Sequence, residues 1–211
     1  MNETEAGLRS RLVDAGVELV AGGGTAAVSL REIARRAGVS HGAPRRYFPT
    51  HLELLSAVAR RGFDALAACL GEAAATAGTP RGQLAALGRA YLEFAAANQG
   101  MYELMFRHDL LESGRLGLRE VSLPLFRMVA GLVAEARPGA GAAPEVAAGA
   151  LWAALHGTAQ LWQWGSLQLA TGLGDPGPLL DAVLDAHLGP AGPGRPAGPR
   201  TGAAGHPAEG G

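Results

Sequence analysis

The chain has 211 residues with a formal net charge of −1, and 48% of its residues are hydrophobic. This length and apolar content suit one small and one larger helical domain better than a single compact core. The single cysteine, Cys69, excludes an internal disulfide and leaves no thiolate cluster for zinc. Residues 1–11 are polar and charged, so we expect no signal peptide and a cytoplasmic location.

Positive charge is concentrated in the first part of the chain. Residues 1–62 carry nine arginines against six acidic residues, whereas residues 63–188 carry seven arginines against twelve acidic residues. A basic region in an otherwise acidic chain indicates where a nucleic acid would dock.

The sequence predicts two helices at the start of this basic region. Apolar residues recur at helical spacing over residues 8–20, and the glycines at residues 22–24 should end that helix. The second helix begins at Leu30, because the Ser29 hydroxyl can accept a hydrogen bond from the first turn while Glu32 reaches back to the Ser29 amide. Gly38 ends it, since a left-handed conformation costs glycine nothing.

A third helix follows across a turn too short for anything but a helix-turn-helix corner. We expect Ser40 to cap this helix and the helix to run from His41 to about Tyr47. It carries Arg45 and Arg46, which can contact phosphates or guanine edges. The alternative is a solvated basic helix end, which the helix-turn-helix frame around the arginines disfavours.

Gly42 leaves two interpretations open, close approach of the backbone to DNA or loose packing. The residues predicted to lie at the DNA surface belong to the two helices of the helix-turn-helix, the turn between them and the start of the next helix. They are Ser29, Arg31, Ser40, His41, Gly42, Ala43, Arg45, Arg46, Tyr47 and His51.

The segments TAAVSLREIARRAGVSHGAP and FPTHLELL closely resemble the TetR/AcrR family of one-component transcriptional regulators. In the second segment Thr50 and Glu53 predict a capping box that starts a fourth helix reaching about residue 75. The resemblance implies a homodimer that binds a (pseudo)palindromic double-stranded DNA operator and a small-molecule effector, most often as a repressor. Two positions depart from the family pattern: Arg45 replaces the usual tyrosine, and His51 replaces the usual lysine.

Beyond about residue 78, apolar segments separated by helix breakers predict helices over residues 80–98, 101–111, 118–136, 144–169 and 178–188. No alternating strand pattern occurs, so the expected class is all-α. We predict a three-helix DNA-binding domain with the helix-turn-helix over residues 1–50 and a linking fourth helix over residues 51–77. A helical effector-binding and dimerisation domain should follow over residues 78–188, and a disordered Gly/Pro-rich tail over residues 189–211.

Residues 146–174 contain no formal charge, which admits either a membrane span or a buried packing helix. A span is disfavoured because several Gln, Ser, Thr and His side chains would need partners in lipid. Gly149, Ala153 and Gly157 recur at four-residue steps and permit close helix approach. We therefore predict a dimer interface that these residues form together with Leu180 and Leu184.

The sequences LWAALHGTAQL and NQGMYELMF resemble a TetR C-terminal subfamily with a Trp-His-Gly signature, here Trp152, His156 and Gly157. The family resemblance implies an effector pocket, and apolar and aromatic walls suit one. For any single residue, an ordinary core position is the favoured alternative. The candidate lining residues are Tyr91, Phe94, Met101, Tyr102, Met105, Phe106, Phe126, Met128, Trp152, His156, Trp162 and Trp164.

Enzyme signatures are missing from the sequence: it has no phosphate-cradling glycine loop, no nucleophile elbow and no zinc-type histidine pair. No cofactor or metal is expected. Together with the family resemblance, this predicts a ligand-responsive transcriptional repressor that a small apolar or amphipathic effector releases from its operator. The alternative is a helical small-molecule-binding or scaffold protein without operator binding.

Overall fold

The structure is a computed structural model that describes residues 3–112, 117–138 and 141–190. Within those ranges it contains eleven α-helices, one short 3-10 helix (Thr25–Ala27) and no strand, which confirms the all-α prediction. The predicted tail beyond residue 190 lies outside the described residues. The helices are α1 (Glu3–Gly23), α2 (Leu30–Arg36), α3 (Ala43–Tyr47), α4 (His51–Ala75), α5 (Pro80–Ala97), α6 (Gln99–Met105), α7 (His108–Glu112), α8 (Leu118–Ala136), α9 (Pro144–Gln163), α10 (Ser166–Thr171) and α11 (Gly177–Leu188).

Helix α2 begins and ends at the predicted residues. The Glu32 amide donates to the Ser29 hydroxyl at 3.1 Å, and Gly38 has a φ of 67°. The reciprocal half of the capping box was predicted wrongly, because the Glu32 carboxylate pairs with Arg35 instead of reaching the Ser29 amide. The helix start therefore depends on the serine hydroxyl.

Helix α3 begins at Ala43, two residues later than predicted, and the Ser40 side chain does not cap it. A helix starting at His41 would need a backbone N–H at Pro44 to bind the Ser40 carbonyl, and proline has none. The Ala43 amide donates to that carbonyl instead, at 3.0 Å. Residues 40–42 consequently form part of the turn.

Three other boundaries differ from the prediction. Helix α1 extends further at both ends and includes two of the glycines that were expected to end it. The segment 101–111 divides into α6 and α7 at Phe106. The long uncharged helix ends at Gln163, because Gly165 adopts a left-handed φ of 76° and starts α10. No helix of the described residues is long and apolar enough to cross a membrane.

Helix α4 lies at the centre of the packing and contacts α1, α5, α6 and α8. The residues buried in its first half include Leu54, Leu55 and Val58, and those buried in its second half include Phe63 and Leu66. One face of α4 thus belongs to a single hydrophobic core that extends from the helix-turn-helix half into the C-terminal half. The sequence-based expectation of two domains in place of one compact core is not reflected in this packing.

Ser56 provides a test of this packing, because its side chain is 1% exposed and its hydroxyl has no hydrogen-bond partner among the described residues. Ser56→Ala should leave the free energy of unfolding unchanged or raise it by about 1 kcal/mol, since a buried unpaired hydroxyl is costly. Thr50→Ala, which removes the cap at the start of the same helix, should lower it by about 1 kcal/mol. Urea unfolding of both variants measures this. A clear loss of stability in Ser56→Ala would contradict the assignment.

Candidate DNA-binding surface and ligand cavity

The arginines of residues 1–62 divide into two groups in the structure. Six of the nine have a partner. The side chains of Arg35, Arg36, Arg60 and Arg61 bind carboxylates, that of Arg11 donates to the Ala37 carbonyl, and that of Arg9 lies 5.0 Å from the ring centroid of Phe48. Within the described part of the chain, the three left without a partner are Arg31, Arg45 and Arg46, and all three are exposed. These are the arginines that the sequence predicts at the DNA surface.

The remaining predicted DNA-surface residues lie around these arginines in the chain. Ser40, His41 and Gly42 are exposed in the turn, whereas Ala43 and Tyr47 are half-buried. Tyr47 packs against the core, so it anchors α3. The Ser29 hydroxyl already accepts a hydrogen bond from the Glu32 amide.

His51 is exposed at the start of α4, but its ring is not free. Its Nε2 lies 2.9 Å from the Val28 carbonyl oxygen, so Nε2 carries a proton and donates it. Nδ1 is the ring nitrogen that remains to contact DNA.

A cavity of about 380 Å³ lies between α4, α5, α8 and α9. Four predicted lining residues face it: Tyr91, Phe106, Phe126 and Trp152. Sequence reasoning missed most of its wall, which is largely aliphatic: Phe63, Leu66, Leu70, Leu84, Leu87, Gly88, Arg119, Ser122, Leu123, Leu125, Val129, Leu151 and Leu155.

The other eight predicted pocket residues do not line this cavity: Phe94, Met101, Tyr102, Met105, Met128, His156, Trp162 and Trp164. Met101 and Met105 pack α6 onto α4, where a Cβ atom at Gly62 would lie 2.6 Å from the Met105 sulfur. Trp164 is 67% exposed. Aromatic character alone was therefore a poor guide, because several of these side chains fill ordinary core positions or face outward.

Tyr91 connects the cavity to a buried polar cluster. His156 Nδ1 lies 2.9 Å from the Tyr91 hydroxyl and 2.6 Å from the Tyr102 hydroxyl, and the two hydroxyls are 3.0 Å apart. Burial raises the pKa of Tyr91 to about 12, raises the pKa of Tyr102 further, and lowers the pKa of His156. All three groups are therefore neutral near pH 7. The cluster holds α5, α6 and α9 together by hydrogen bonds.

The residues predicted at a dimer interface fall into two groups. Leu180 and Leu184 are 2% and 3% exposed, so α11 uses them to pack inside its own subunit. Ala153 is exposed, and Gly149 and Gly157 are half-buried on α9. An outward stripe on this helix, spaced by three and four residues, consists of Val146, Ala150, Ala153, Gly157 and Leu161, and Trp164 at the C-cap of the helix continues the spacing.

Comparison with known proteins identifies the family. Residues 12–58 match the family model described as bacterial regulatory proteins, tetR family. Residues 84–187 match the model described as tetracyclin repressor-like, C-terminal domain. The chain belongs to the TetR family. Both halves of the molecule therefore correspond to parts of a TetR regulator.

Individual relatives agree with this assignment. Over 79 residues the chain is 37% identical to the HTH-type transcriptional repressor KstR of Mycolicibacterium smegmatis; the match covers 37% of this chain and 39% of KstR, so it spans about two fifths of that relative. A protein of unknown function from Rhodococcus sp. RHA1 is 30% identical with a TM-score of 0.66, covering 86% of this chain and 93% of that one. The fatty acid degradation regulator FadR of Bacillus halodurans shares the fold at 18% identity, with a TM-score of 0.64 over 85% of this chain and 94% of that one.

The lowered pKa of His156 predicts a pH dependence of stability. Its folded-state pKa lies below the ordinary value of 6.5, so the unfolded chain binds more protons in the interval between the two values. The stabilisation is fully present above 6.5 and is lost as the pH falls toward the folded-state pKa. His156→Gln should therefore lose less stability on acidification than the wild type does. Urea unfolding across a pH series, at fixed protein concentration, measures this.

His41→Gln is the matched control, because His41 is exposed in the turn before α3. Its stability should follow the wild-type pH dependence. If His156→Gln and the wild type had parallel profiles, burial would not be what keeps His156 neutral.

Proposed function

We propose that this TetR-family chain is a homodimeric, ligand-responsive DNA-binding repressor that acts in the cytoplasm. The observation that carries the proposal is the group of unpaired, exposed arginines on the helix-turn-helix, Arg31, Arg45 and Arg46. An exposed arginine stays charged at any physiological pH and can bind phosphate or guanine through two N–H groups. The resemblance to a protein named a transcriptional repressor supports the sign of regulation.

The turn before α3 favours close approach to DNA. A Cβ atom at Gly42 would meet nothing within 4 Å, and the φ of this residue is −83°, which any residue can adopt. Neither internal packing nor backbone conformation therefore requires glycine at this position. Of the two interpretations, the one in which the small residue leaves room for the DNA backbone is the one we propose.

The outward stripe of α9 is the proposed dimer interface. Val146 in the first turn of α9 and Trp164 at its C-cap are 66% and 67% exposed in the subunit, which leaves two apolar side chains in solvent at the two ends of the stripe. The small residues Ala153 and Gly157 between them would let two copies of α9 approach closely. Symmetric pairing of this stripe would place two copies of α3, the proposed recognition helix, on one operator, as a palindromic site requires.

We assign the effector to the cavity between α4, α5, α8 and α9, and the C-terminal domain to the Trp-His-Gly type. Trp152 lines the cavity, and His156, one helical turn later, is hydrogen-bonded through Nδ1 to the hydroxyls of Tyr91 and Tyr102. The signature residues thus belong to the wall of the cavity and to the polar cluster behind it. This placement supports a ligand-sensing role for the motif.

Two helices can carry a change in the cavity to the DNA-binding half. Helix α4 lines the cavity with Phe63, Leu66 and Leu70, and it follows α3 in the chain after three residues. Helix α6 abuts α1 so closely that a Cβ atom at Gly100 would lie 2.8 Å from the Val20 carbonyl oxygen. Because backbone meets backbone there, α6 cannot shift without moving α1.

The DNA-binding part of the proposal predicts the effect of removing one arginine. Arg45→Ala and Arg46→Ala should each weaken operator binding. The slope of log affinity against log salt concentration should become shallower by about one unit for each phosphate that the variant no longer neutralises. Fluorescence anisotropy across a salt series measures this, with the fragment that footprinting finds beside the protein's own gene. Thermal stability should barely change, because both side chains are exposed.

Arg89→Ala is the control, because it removes the same charge from an exposed position on α5. It should bind the operator like the wild type. Wild-type affinity in both Arg45→Ala and Arg46→Ala would favour the alternative function, a helical small-molecule-binding protein without operator binding.

The interface part of the proposal predicts that Ala153→Arg dissociates the dimer, because a charge in the centre of the paired stripes would be buried without a partner. Ala134→Arg, which replaces an exposed alanine on α8, should remain dimeric. Sedimentation velocity at low protein concentration distinguishes the two. A dimeric Ala153→Arg variant would place the interface elsewhere.

A further inference from the structure

We propose that the effector is an anionic amphiphile, whose apolar part fills the cavity and whose acid group is bound by Arg119 at the start of α8. The inference rests on the proposed function in one respect, the use of this cavity for the effector. It adds the chemical class of the ligand and the residue that selects it.

The walls of the cavity require the ligand to be mainly apolar. They are aliphatic and aromatic side chains from four helices, and the volume of about 380 Å³ is that of a site for a small organic molecule. The hydroxyl of Tyr91 is already hydrogen-bonded to Tyr102 and His156. The interior therefore offers the ligand few polar partners of its own.

Among the residues that the structure describes, Arg119 is the one charged side chain that lines this cavity, and no acidic side chain lines it. The residues of α8 that line the cavity are 119, 122, 123, 125, 126 and 129, which recur at three- and four-residue steps along the helix. A stripe that is apolar throughout would suit a core-facing helix, yet its first two positions are Arg119 and Ser122. Both can donate hydrogen bonds to an oxygen anion.

The charges next to Arg119 leave it available to a ligand. The neighbouring carboxylate, Glu120, is bound by Arg60 of α4 at 3.2 Å, and the same guanidinium nitrogen donates to the Gly117 carbonyl at 3.2 Å. Glu120 is thus held against α4. Within the described ranges Arg119 itself forms no ion pair.

The exposure of Arg119 fixes the orientation of the ligand. Since Arg119 is exposed while Leu151 and Leu155 are buried, the one charge of the described lining lies on the solvent side of the cavity and the buried part of the lining is apolar. An acid group at Arg119 would keep much of its hydration while the chain attached to it left water. A cationic head group would instead meet Arg119 without any carboxylate in the described lining to compensate.

Calorimetric titration of the protein with ligands that share one alkyl chain tests the inference. The ligands are decanoate, decyl phosphate, decanol and decyltrimethylammonium, each below its micelle concentration. Decanoate or decyl phosphate should bind about 1.5-fold to fivefold more tightly than decanol, the range expected for an exposed charge pair, and the cation should bind most weakly. The order of the two anions decides between carboxylate and phosphate as the head group. Added salt should reduce the preference for the anion.

Three variants assign the preference to one side chain. Arg119→Gln should bind decanol like the wild type but lose the preference for the anion, and retained decanol binding shows that the cavity is intact. Arg119→Lys should keep part of the preference, because it keeps the charge but not the bidentate geometry. Arg127→Gln, an exposed arginine of the same helix outside the lining, should bind all ligands like the wild type.

Several results would overturn the inference: equal affinity of the wild type for decanoate, decyl phosphate and decanol, an anion preference that survives Arg119→Gln, or no binding of either anion. Operator affinity, measured in parallel, separates this from the proposed function. If an anion binds through Arg119 but leaves operator affinity unchanged at saturation, the ligand class stands and the switch fails. If a neutral apolar compound releases the operator equally from the wild type and Arg119→Gln, while neither anion binds, the switch stands and the ligand class fails.

Discussion

Burial of one face of α4 along most of its length links the two halves of the molecule. Its first turns pack against α1, where a Cβ atom at Gly16 would lie 2.5 Å from a methyl group of Val58, and its later turns supply Phe63, Leu66 and Leu70 to the cavity wall. A close-packed helix transmits a displacement because it cannot repack at one end independently of the other. The position of the helix-turn-helix therefore depends on how α4 is packed beside the cavity.

Local sequence signals predicted the fold well. The errors in the predicted helix boundaries lie where two such signals compete. Ser29 and Thr50 both cap their helices as the sequence indicates, because a cap involves residues three positions apart. Ser40 has the same chemistry but does not cap, since Pro44 moves the start of α3. The break in the long uncharged segment depends on Gly165, one glycine among the 32 of the chain, so composition alone could not single it out.

The two candidate sites differ in how far the sequence could predict them. The arginines on α2 and α3 follow from helix periodicity, because an exposed face is set by the helix itself. The cavity is formed by four helices, and which of their side chains face it is decided by tertiary packing. Sequence reasoning favoured aromatic residues, so it included Trp164, which faces outward, and omitted aliphatic residues such as Leu87. The sequence does contain a signal for Arg119, because this cation stands at a helical spacing of α8 that is otherwise mainly apolar.

The polar cluster behind the cavity is a route by which the apolar part of a ligand would act on the helix-turn-helix half. Phe106 is a wall of the cavity, its ring centroid lies 4.7 Å from that of His156, and it directly follows α6. A ligand that displaces Phe106 would therefore strain the hydrogen bonds among Tyr91, Tyr102 and His156 and move the helix that abuts α1. A ligand can shift the equilibrium between two conformations of the protein only by the difference in its affinity for them. The free energy of this strain therefore limits how far a ligand can change operator affinity. On the proposed function, ligand shape beside Phe106 would control the strength of operator release, whereas the charge of Arg119 would control which ligands bind.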